Sequence, residues 1–566
     1  MNKIPVNRIQ FWNWRGDLFG GLSAAIVALP LGLAFGVSSG AGAIAGLYGS
    51  IFVGFFAALF GGTPTQVSGP TGPMTVVITT VITALVARHP EHGLAMAFTV
   101  VMLGGLFQIL MGFLRLGQYI TLMPYTVISG FMSGIGIIII VIQLPPLLGY
   151  GASGGVVTIL ETLPQYLSHP NLIAVVLGLL TLTIVAFTPP KINRLLPAPL
   201  MALILVTLIS VVAFGQADLP RIGSIPVGLP QPKLPTFELS ELKDMIRYGI
   251  MLGFLGAIDS LLTSLVSDSI AHTQHDSDKE LIGQGIGNCV SGLMGGLPGA
   301  GATMRTVMNI QAGGRTPLAG IIHAVVLVAV VFLAGPPTSQ IPHAVLAGLL
   351  LKVGLDIIDW SFIKRAPRLS LKGTGIMYLV LILTVFVDLI VAVIVGAFIA
   401  NLLTIKRLTE IQSDRVQTIT TSNQASHLSL AEQELFNRVP GEILLFQLGG
   451  PLSFGAAKTI TKRMSILHDY RMLVLDLSDV PSIGVTATLA IEAMTKDALN
   501  HQRQVWVVVS PGAVKQRIAK LELETLAGVY FVESRLQALE AAVAKLDAPD
   551  KFDYFQSSGD QGNGRV

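Results

Sequence analysis

Two ionisable residues stand in apolar surroundings where water would not reach them. Asp259 lies in Gly253-Phe254-Leu255-Gly256-Ala257-Ile258-Asp259-Ser260, and Arg305 in Ala302-Thr303-Met304-Arg305-Thr306-Val307. A charge inside a membrane span is costly, so each needs a partner or a task. Thr263 follows Asp259 by one helical turn, on the same face. Three uses are open to this carboxylate and hydroxyl: holding Na+ together with backbone carbonyls, carrying a proton, or simply pairing the carboxylate with Arg305 to join two helices. Arg305 in turn either adds a positive charge to an anion site or extends its guanidinium to the cytoplasmic edge.

Glycine and proline mark where an anion would sit. Leu59-Phe60-Gly61-Gly62, a Gly/Pro run and Gly72-Pro73-Met74-Thr75-Val76 parallel Leu293-Met294-Gly295-Gly296, a second such run and Ala302-Thr303-Met304-Arg305-Thr306-Val307. Neither run can be helical, and irregular backbone at membrane depth persists only where protein or a water-filled cavity satisfies it. A helix starts after each run, and helix starts present free N–H groups and a partial positive charge. Two converging starts therefore predict a small anion as the substrate. Thr71, Gly72 and Thr75 on the first break, and Ala302, Thr303 and Thr306 on the second, are the expected donors.

The elements that position these residues follow from composition. The chain has 566 residues, 52% hydrophobic and only 12% charged, against about 25% charged in an ordinary soluble protein. It is thus a polytopic membrane protein with a polar tail: 34 charged residues fall in 1–405 and 35 in the much shorter 406–566. Punctuation by charge, Pro and Gly divides residues 17–407 into fourteen spans, those near 70 and 303 being half-helices. The breaks open spans three and ten. Seven spans separate them, so the two copies run in opposite directions, as in the inverted repeats of secondary transporters. An even count puts both termini on one side. Basic residues including Lys3, Arg8, Lys191, Arg194, Arg315, Lys364, Arg365 and Arg368 mark that side as cytoplasmic, with Arg88, Arg221 and Lys233 dissenting.

From Gly441 the periodicity changes to short strand-like runs, Ile443–Leu448, Met472–Leu477 and Val505–Val509, separated by helix-like stretches 456–468 and 488–500. This predicts a cytoplasmic α/β domain joined by a polar linker. With no paired histidines, P-loop or nucleophile elbow, regulation or assembly is its expected role. The lone Cys289 excludes an internal disulfide. A net charge of +3 with scattered basic residues gives no reason to expect nucleic acid. No nucleophile with a base stands out, so an enzyme is not expected, and no cofactor beyond a coupling ion.

Taken together, a Gly-Pro span three, an acidic span eight, a Gly-rich span ten and an α/β tail resemble the SulP anion transporters, whose tail is a STAS domain. The most specific stretches are Gly54-Phe55-Phe56-Ala57-Ala58-Leu59-Phe60-Gly61-Gly62-Thr63-Pro64-Thr65, Met123-Pro124-Tyr125-Thr126-Val127-Ile128-Ser129-Gly130-Phe131-Met132-Ser133-Gly134 and Lys279-Glu280-Leu281-Ile282-Gly283-Gln284-Gly285. Within the family the likeness is strongest to its sodium-dependent bicarbonate carriers. It implies a seven-plus-seven repeat whose core, spans one to four and eight to eleven, moves elevator-like against a gate of the rest. It also implies a homodimer through the STAS domain in the inner membrane. The resemblance divides the chain into 1–16 (cytoplasmic segment), 17–407 (transport domain), 408–437 (linker), 438–548 (STAS domain) and 549–566 (flexible tail). By matching position, Na+ would meet Asp259, Thr263, Gly301, Ala302 and Thr303, and the anion Thr71 and the span-ten backbone.

The chain departs from the bicarbonate carriers at two positions. Arg305 replaces their glycine, as in many other members of the family, and Gly69 replaces their acidic residue. An arginine can stand in for sodium as countercharge. The expected function is therefore Na+-coupled bicarbonate uptake, with Na+-independent or proton-coupled transport of sulfate or a dicarboxylate, anion exchange or an anion channel as alternatives. In the tail, Asp476-Leu477-Ser478-Asp479-Val480-Pro481 matches the STAS signature. Gly484 and Val485 stand where phosphorylated STAS domains have Asp and Ser, leaving Thr486 as the one candidate for such a switch.

Overall fold

In a bilayer every backbone N–H and C=O must be satisfied within the chain, and the apolar segments meet that demand as helices. A computed structural model of the protein describes residues 7 and 9–547, apart from 121–122, 152–154, 190–191, 194–195, 224–229, 334–337, 388, 422–427 and 465–468. Lys3, Arg8, Lys191 and Arg194, the end of the expected 456–468 helix and the tail 549–566 lie outside the described residues.

The chain divides into two compact units, Met1–Ala400 and Asn401–Val566. The first begins with α1 (Trp14–Ser38), α2 (Ala43–Phe60), α3 (Gly72–Arg88), α4 (Gly93–Phe113), the short α5 (Gly117–Ile120) and α6 (Tyr125–Leu147). It continues through α7 (Val156–Ser168), α8 (Leu172–Phe187), α9 (Ala198–Phe214), α10 (Leu242–Ala271), α11 (Ser277–Leu293) and α12 (Thr303–Gln311). α13 (Leu318–Leu333), α14 (His343–Ile357), α15 (Trp360–Leu369), α16 (Leu371–Phe386) and α17 (Leu389–Asp414) follow. The fourteen expected spans each correspond to one of these helices, in order, with α5, α7 and α15 between them. Among the described residues, α1, α2, α4, α6, α10 and most of α17 are each long and apolar enough to cross a membrane. Of the two expected half-helices only α12 is short; α3, with 17 residues, is as long as α9. Nine residues of α12 rise only about 14 Å, less than half of a hydrocarbon core of about 30 Å.

Glycine lets these helices touch backbone to backbone, the packing that lipid leaves available when burial of apolar surface gives no drive. A Cβ on Gly46 of α2 would lie 1.8 Å from the Gly32 carbonyl of α1. Gly105 of α4 and Gly285 of α11 are reciprocal: a Cβ on either would lie 2.5 Å from the other's carbonyl oxygen.

The second unit is a five-stranded sheet in the order of the chain: β3 (Val416–Ile419), β4 (Ile443–Gly449), β5 (Met472–Asp479), β6 (Gln504–Val508) and β7 (Val529–Val532). The sheet is parallel except for β3, which runs antiparallel to β4. α18 (Leu430–Arg438), α19 (Phe454–Met464), α20 (Val485–Asn500), α21 (Ala513–Ala519) and α22 (Arg535–Asp547) complete it. Two apolar layers result. One includes Leu444, Phe446, Leu473, Leu475 and Ile491, and the other Phe436, Leu445, Val474, Trp506 and Leu539. Residues 408–437, expected to be a linker, instead hold the end of α17, the edge strand β3 and most of α18. β3 buries only its two ends, Val416 in one apolar layer and Ile419 in the other, too short a run for a periodicity signal in polar sequence, and only its pairing with β4 makes it a strand.

Candidate functional site

The two Gly/Pro breaks meet. β1 (Ser68–Gly69) pairs antiparallel with β2 (Ala300–Gly301), Ser68 opposite Gly301 and Gly69 opposite Ala300. Two hydrogen bonds extend the match: the Ala302 amide donates to the Val67 carbonyl at 3.0 Å, and the Val67 amide to the Thr306 hydroxyl at 3.0 Å. The short ladder fixes where α3 and α12 begin. Pro73 starts α3, where a missing N–H costs nothing. The amides of Gly72 and Met74, and those of Thr303, Met304 and Arg305, have no acceptor within their own helices. Free amides of this kind are what an anion would meet at this place.

Beside them lies a group of side-chain and backbone oxygens. Asp259, buried on α10, accepts a hydrogen bond from the Thr71 hydroxyl at 2.7 Å. Thr263, one turn further along, donates to the Gly301 carbonyl at 2.9 Å, and its hydroxyl lies 2.8 Å from that of Thr303. Carboxylate, carbonyl and hydroxyl oxygens are what a hard cation seeks, so Asp259, Thr263, Gly301 and Thr303 fit Na+. Ala302 contributes only backbone here. Its amide is taken by Val67. Thr303 is exposed, which opens the cluster to the space between the helices.

Three hydroxyls expected at the anion position are engaged elsewhere. The Thr75 hydroxyl donates to the Thr71 carbonyl at 2.7 Å, and the Thr71 hydroxyl is held by Asp259. A threonine in a helix readily bonds the carbonyl one turn back, a local preference that cannot be seen in residue type alone. The side chain of Thr306 likewise serves Val67.

Arg305 neither pairs with Asp259 nor reaches an edge. Its side chain is 1% exposed, and Nη2 donates to the Pro70 carbonyl at 2.8 Å. Its Nε and Nη1 have no hydrogen-bond partner among the described residues. Gly69 makes room for it: a Cβ there would lie 2.3 Å from Arg305 Nη1. The two departures noted above are thus one contact. His323 of α13 is fully buried, with neither ring nitrogen paired among the described residues.

Several residues of this site escaped the sequence reading. Ser260 accepts from the Gly301 amide at 3.1 Å, and its place beside Asp259 was the available signal. Glu280 stood within a quoted stretch but had no assigned task. Beyond the break, a cleft of about 480 Å³ runs along α3 past Thr79, Thr80 and Thr83 to Arg247 on α10.

Comparison with known proteins places this architecture. Residues 14–380 match the Sulfate permease family and residues 437–534 match the STAS domain. The bicarbonate transporter BicA of a Synechocystis species is 51% identical over 557 residues, 98% of this chain and 99% of the relative. That of a Picosynechococcus species is 52% identical, covering 95% and 96%. The putative sulfate transporter YvdB of Bacillus subtilis is 29% identical, covering 90% and 93%. Among solved structures, the transmembrane domain of a cyanobacterial BicA matches with a TM-score of 0.65 at 57% identity, over 68% of this chain and 99% of that one. The murine Slc26a9 anion transporter shares the fold, with a TM-score of 0.79 at 20% identity over 95% and 92%. With its family model, its near full-length relatives and its paired half-helix starts in agreement, the chain belongs to the sulfate permease family and carries a C-terminal STAS domain.

Proposed function

We propose that this protein is a secondary active transporter that takes up bicarbonate together with Na+. One observation carries the coupling: the oxygens of Asp259, Thr263, Gly301 and Thr303 cluster beside two helix starts, so a cation and an anion would be held as neighbours. Bound Na+ offsets the Asp259 carboxylate and adds to the positive potential of the half-helix amides, which makes anion binding depend on it. The identity of the anion rests on the bicarbonate transporters that share about half of this sequence. Asp259, Thr263, Gly301, Ala302 and Thr303 form the cation position. The amides that begin α3 and α12, with Thr71, Gly72 and Thr75 beside them, form the anion position. Transport follows from movement of the α1–α4 and α10–α13 core against the remaining helices in the inner membrane. The N-terminus and STAS domain are cytoplasmic, and the STAS domain assembles a homodimer.

A second reading draws on the buried guanidinium. Arg305 is a fixed positive charge without a carboxylate partner among the described residues, and it could replace Na+ as countercharge. Its bond to the Pro70 carbonyl, away from Asp259, favours the sodium reading. Tracer bicarbonate uptake across a Na+ titration separates the two. Sodium coupling predicts saturable activation, abolished by Asp259→Asn and retained in Arg305→Gly. A flat response to Na+, with uptake lost in Arg305→Gly, would establish the second reading. Acceleration by bicarbonate on the opposite side distinguishes either carrier from a channel.

A further inference from the structure

Residues 61–67, leading into the first break, carry no helix or strand, yet most of them are buried, so their polar groups need partners. Glu280 of α11 supplies them. Its side chain is 1% exposed, and its carboxylate accepts four N–H donors. The Gly62 and Thr63 amides reach Oε2 at 2.8 and 2.9 Å, and the side-chain amides of Gln66 and Gln284 reach Oε1 at 2.7 and 2.8 Å. Gln284 also donates to the hydroxyl of Ser68, the first residue of β1, at 2.6 Å. Ser264 of α10 donates to Gln66 Oε1 at 3.1 Å. No ion pair to Glu280 exists among the described residues. Each of these four groups donates to the carboxylate.

A second buried carboxylate holds the turn that follows α12. Asp17 of α1, fully buried, accepts from the Arg315 and Thr316 amides at 2.8 and 3.0 Å and from the Thr316 hydroxyl at 2.7 Å. These amides lie just after α12. The exchange is reciprocal: α11 of the second repeat holds the segment before α3, and α1 of the first repeat holds the segment after α12.

We propose that Glu280 and Asp17 are positioning residues, carboxylate clamps that tie the segment leading into the first break and the segment following α12 to helices of the opposite repeat, so that Glu280 sets where α3 begins and Asp17 where α12 ends. The consequence for transport rests on the reading of the α3 start as part of the anion site. The clamps act on the position of the backbone. Glu280→Gln keeps an oxygen for the Gly62 and Thr63 amides, and Gln66 and Gln284 can turn their own oxygens toward the new NH2. Glu280→Ala has no such remedy.

The test uses the full-length protein. Hydrogen exchange of peptides covering 61–68 is followed in the wild type and the variants, alongside the KM and kcat of bicarbonate uptake. Glu280→Ala is expected to speed exchange of that segment about tenfold or more and to raise KM more than it lowers kcat. Glu280→Gln is expected to restore both to within about threefold of the wild type. Asp17→Ala should act in the same way on 313–317. Unchanged exchange in Glu280→Ala, or a Glu280→Gln protein as impaired as Glu280→Ala, overturns the proposal. Should Glu280→Ala fail to fold, Gln284→Ala removes one donor and the link to Ser68, and must raise exchange of 61–68 part-way. No change there also overturns it. The exchange results stand whether or not the wild type moves bicarbonate, so failure of the clamps and failure of the transport reading are told apart.

Discussion

Replacing Gly69 with alanine tests whether the Arg305 guanidinium is lodged where the structure puts it. The new Cβ would lie 2.3 Å from Nη1 and 3.1 Å from the Ser50 Cα. Carbon and nitrogen approach to about 3.4 Å at best, so the guanidinium must retreat by about 1 Å. A side chain that is 1% exposed has nowhere open to retreat to, and the displacement breaks its 2.8 Å bond to the Pro70 carbonyl. Loss of a hydrogen bond from a charged donor costs about 1.5–3 kcal/mol. Gly69 also has φ +154°, which a residue with a Cβ adopts only at a further cost of about 1–3 kcal/mol. Together these come to about 3–6 kcal/mol, a large part of the 5–15 kcal/mol typical of a folded protein. The Arg305 part can be isolated by a double-mutant cycle. Combining Gly69→Ala with Arg305→Gly removes the collision but keeps the backbone strain, so the two changes should couple by about 2 kcal/mol. The assay is unfolding of the detergent-purified protein for all four members of the cycle. Additive losses, or a Gly69→Ala protein as stable as the wild type, would refute the placement of Arg305.

Three further outcomes follow. Thr263→Val removes the hydroxyl that joins Gly301 to Thr303 and should weaken Na+ activation of uptake by roughly tenfold, an effect of about 1.4 kcal/mol; an unchanged half-saturating Na+ concentration counts against the cation position. In the STAS unit, burial pushes the Glu432 carboxyl up, but the Arg535 guanidinium at 2.7 Å and the Ser429 donors outweigh it and hold the group below its usual range. A depressed folded value means that this stabilisation is present above the unfolded carboxylate pKa and is lost as pH falls through the folded one. Exchange protection of 430–438 should therefore decline on acidification and become less sensitive to pH over that window in Arg535→Met, where only the Ser429 donors remain; an identical profile in that variant removes the basis for the prediction. Finally, a reporter fused after Val566 should report the cytoplasm, and a periplasmic signal would reverse the topology.

The sequence by itself determined the membrane class, the fourteen helices and the inverted repeat, because hydropathy and glycine–proline punctuation are local and lipid enforces them one segment at a time. It also located the residues that meet at the breaks. Asp259 and Thr263 were legible from one turn's spacing within a single helix, and Thr71 and Thr303 from their places beside helix starts. What it left open were pairings across distance. Whether Asp259 turned to Arg305 or to Thr71 depends on which neighbour lies within reach, and residue type cannot supply that distance. Gly69 and Arg305 were two unconnected departures until β1 and β2 were paired. The tasks of Glu280 and Asp17 were not legible because each holds two backbone amides, 217 or 218 and 298 or 299 residues away, and an amide leaves no mark in the sequence. β3 was hidden for a related reason: an edge strand of four residues becomes a strand only when β4 offers it a ladder. The sequence fixes what each segment can be when surrounded by lipid or water, whereas only the tertiary structure brings donors and acceptors from distant segments together and so decides which polar groups satisfy one another.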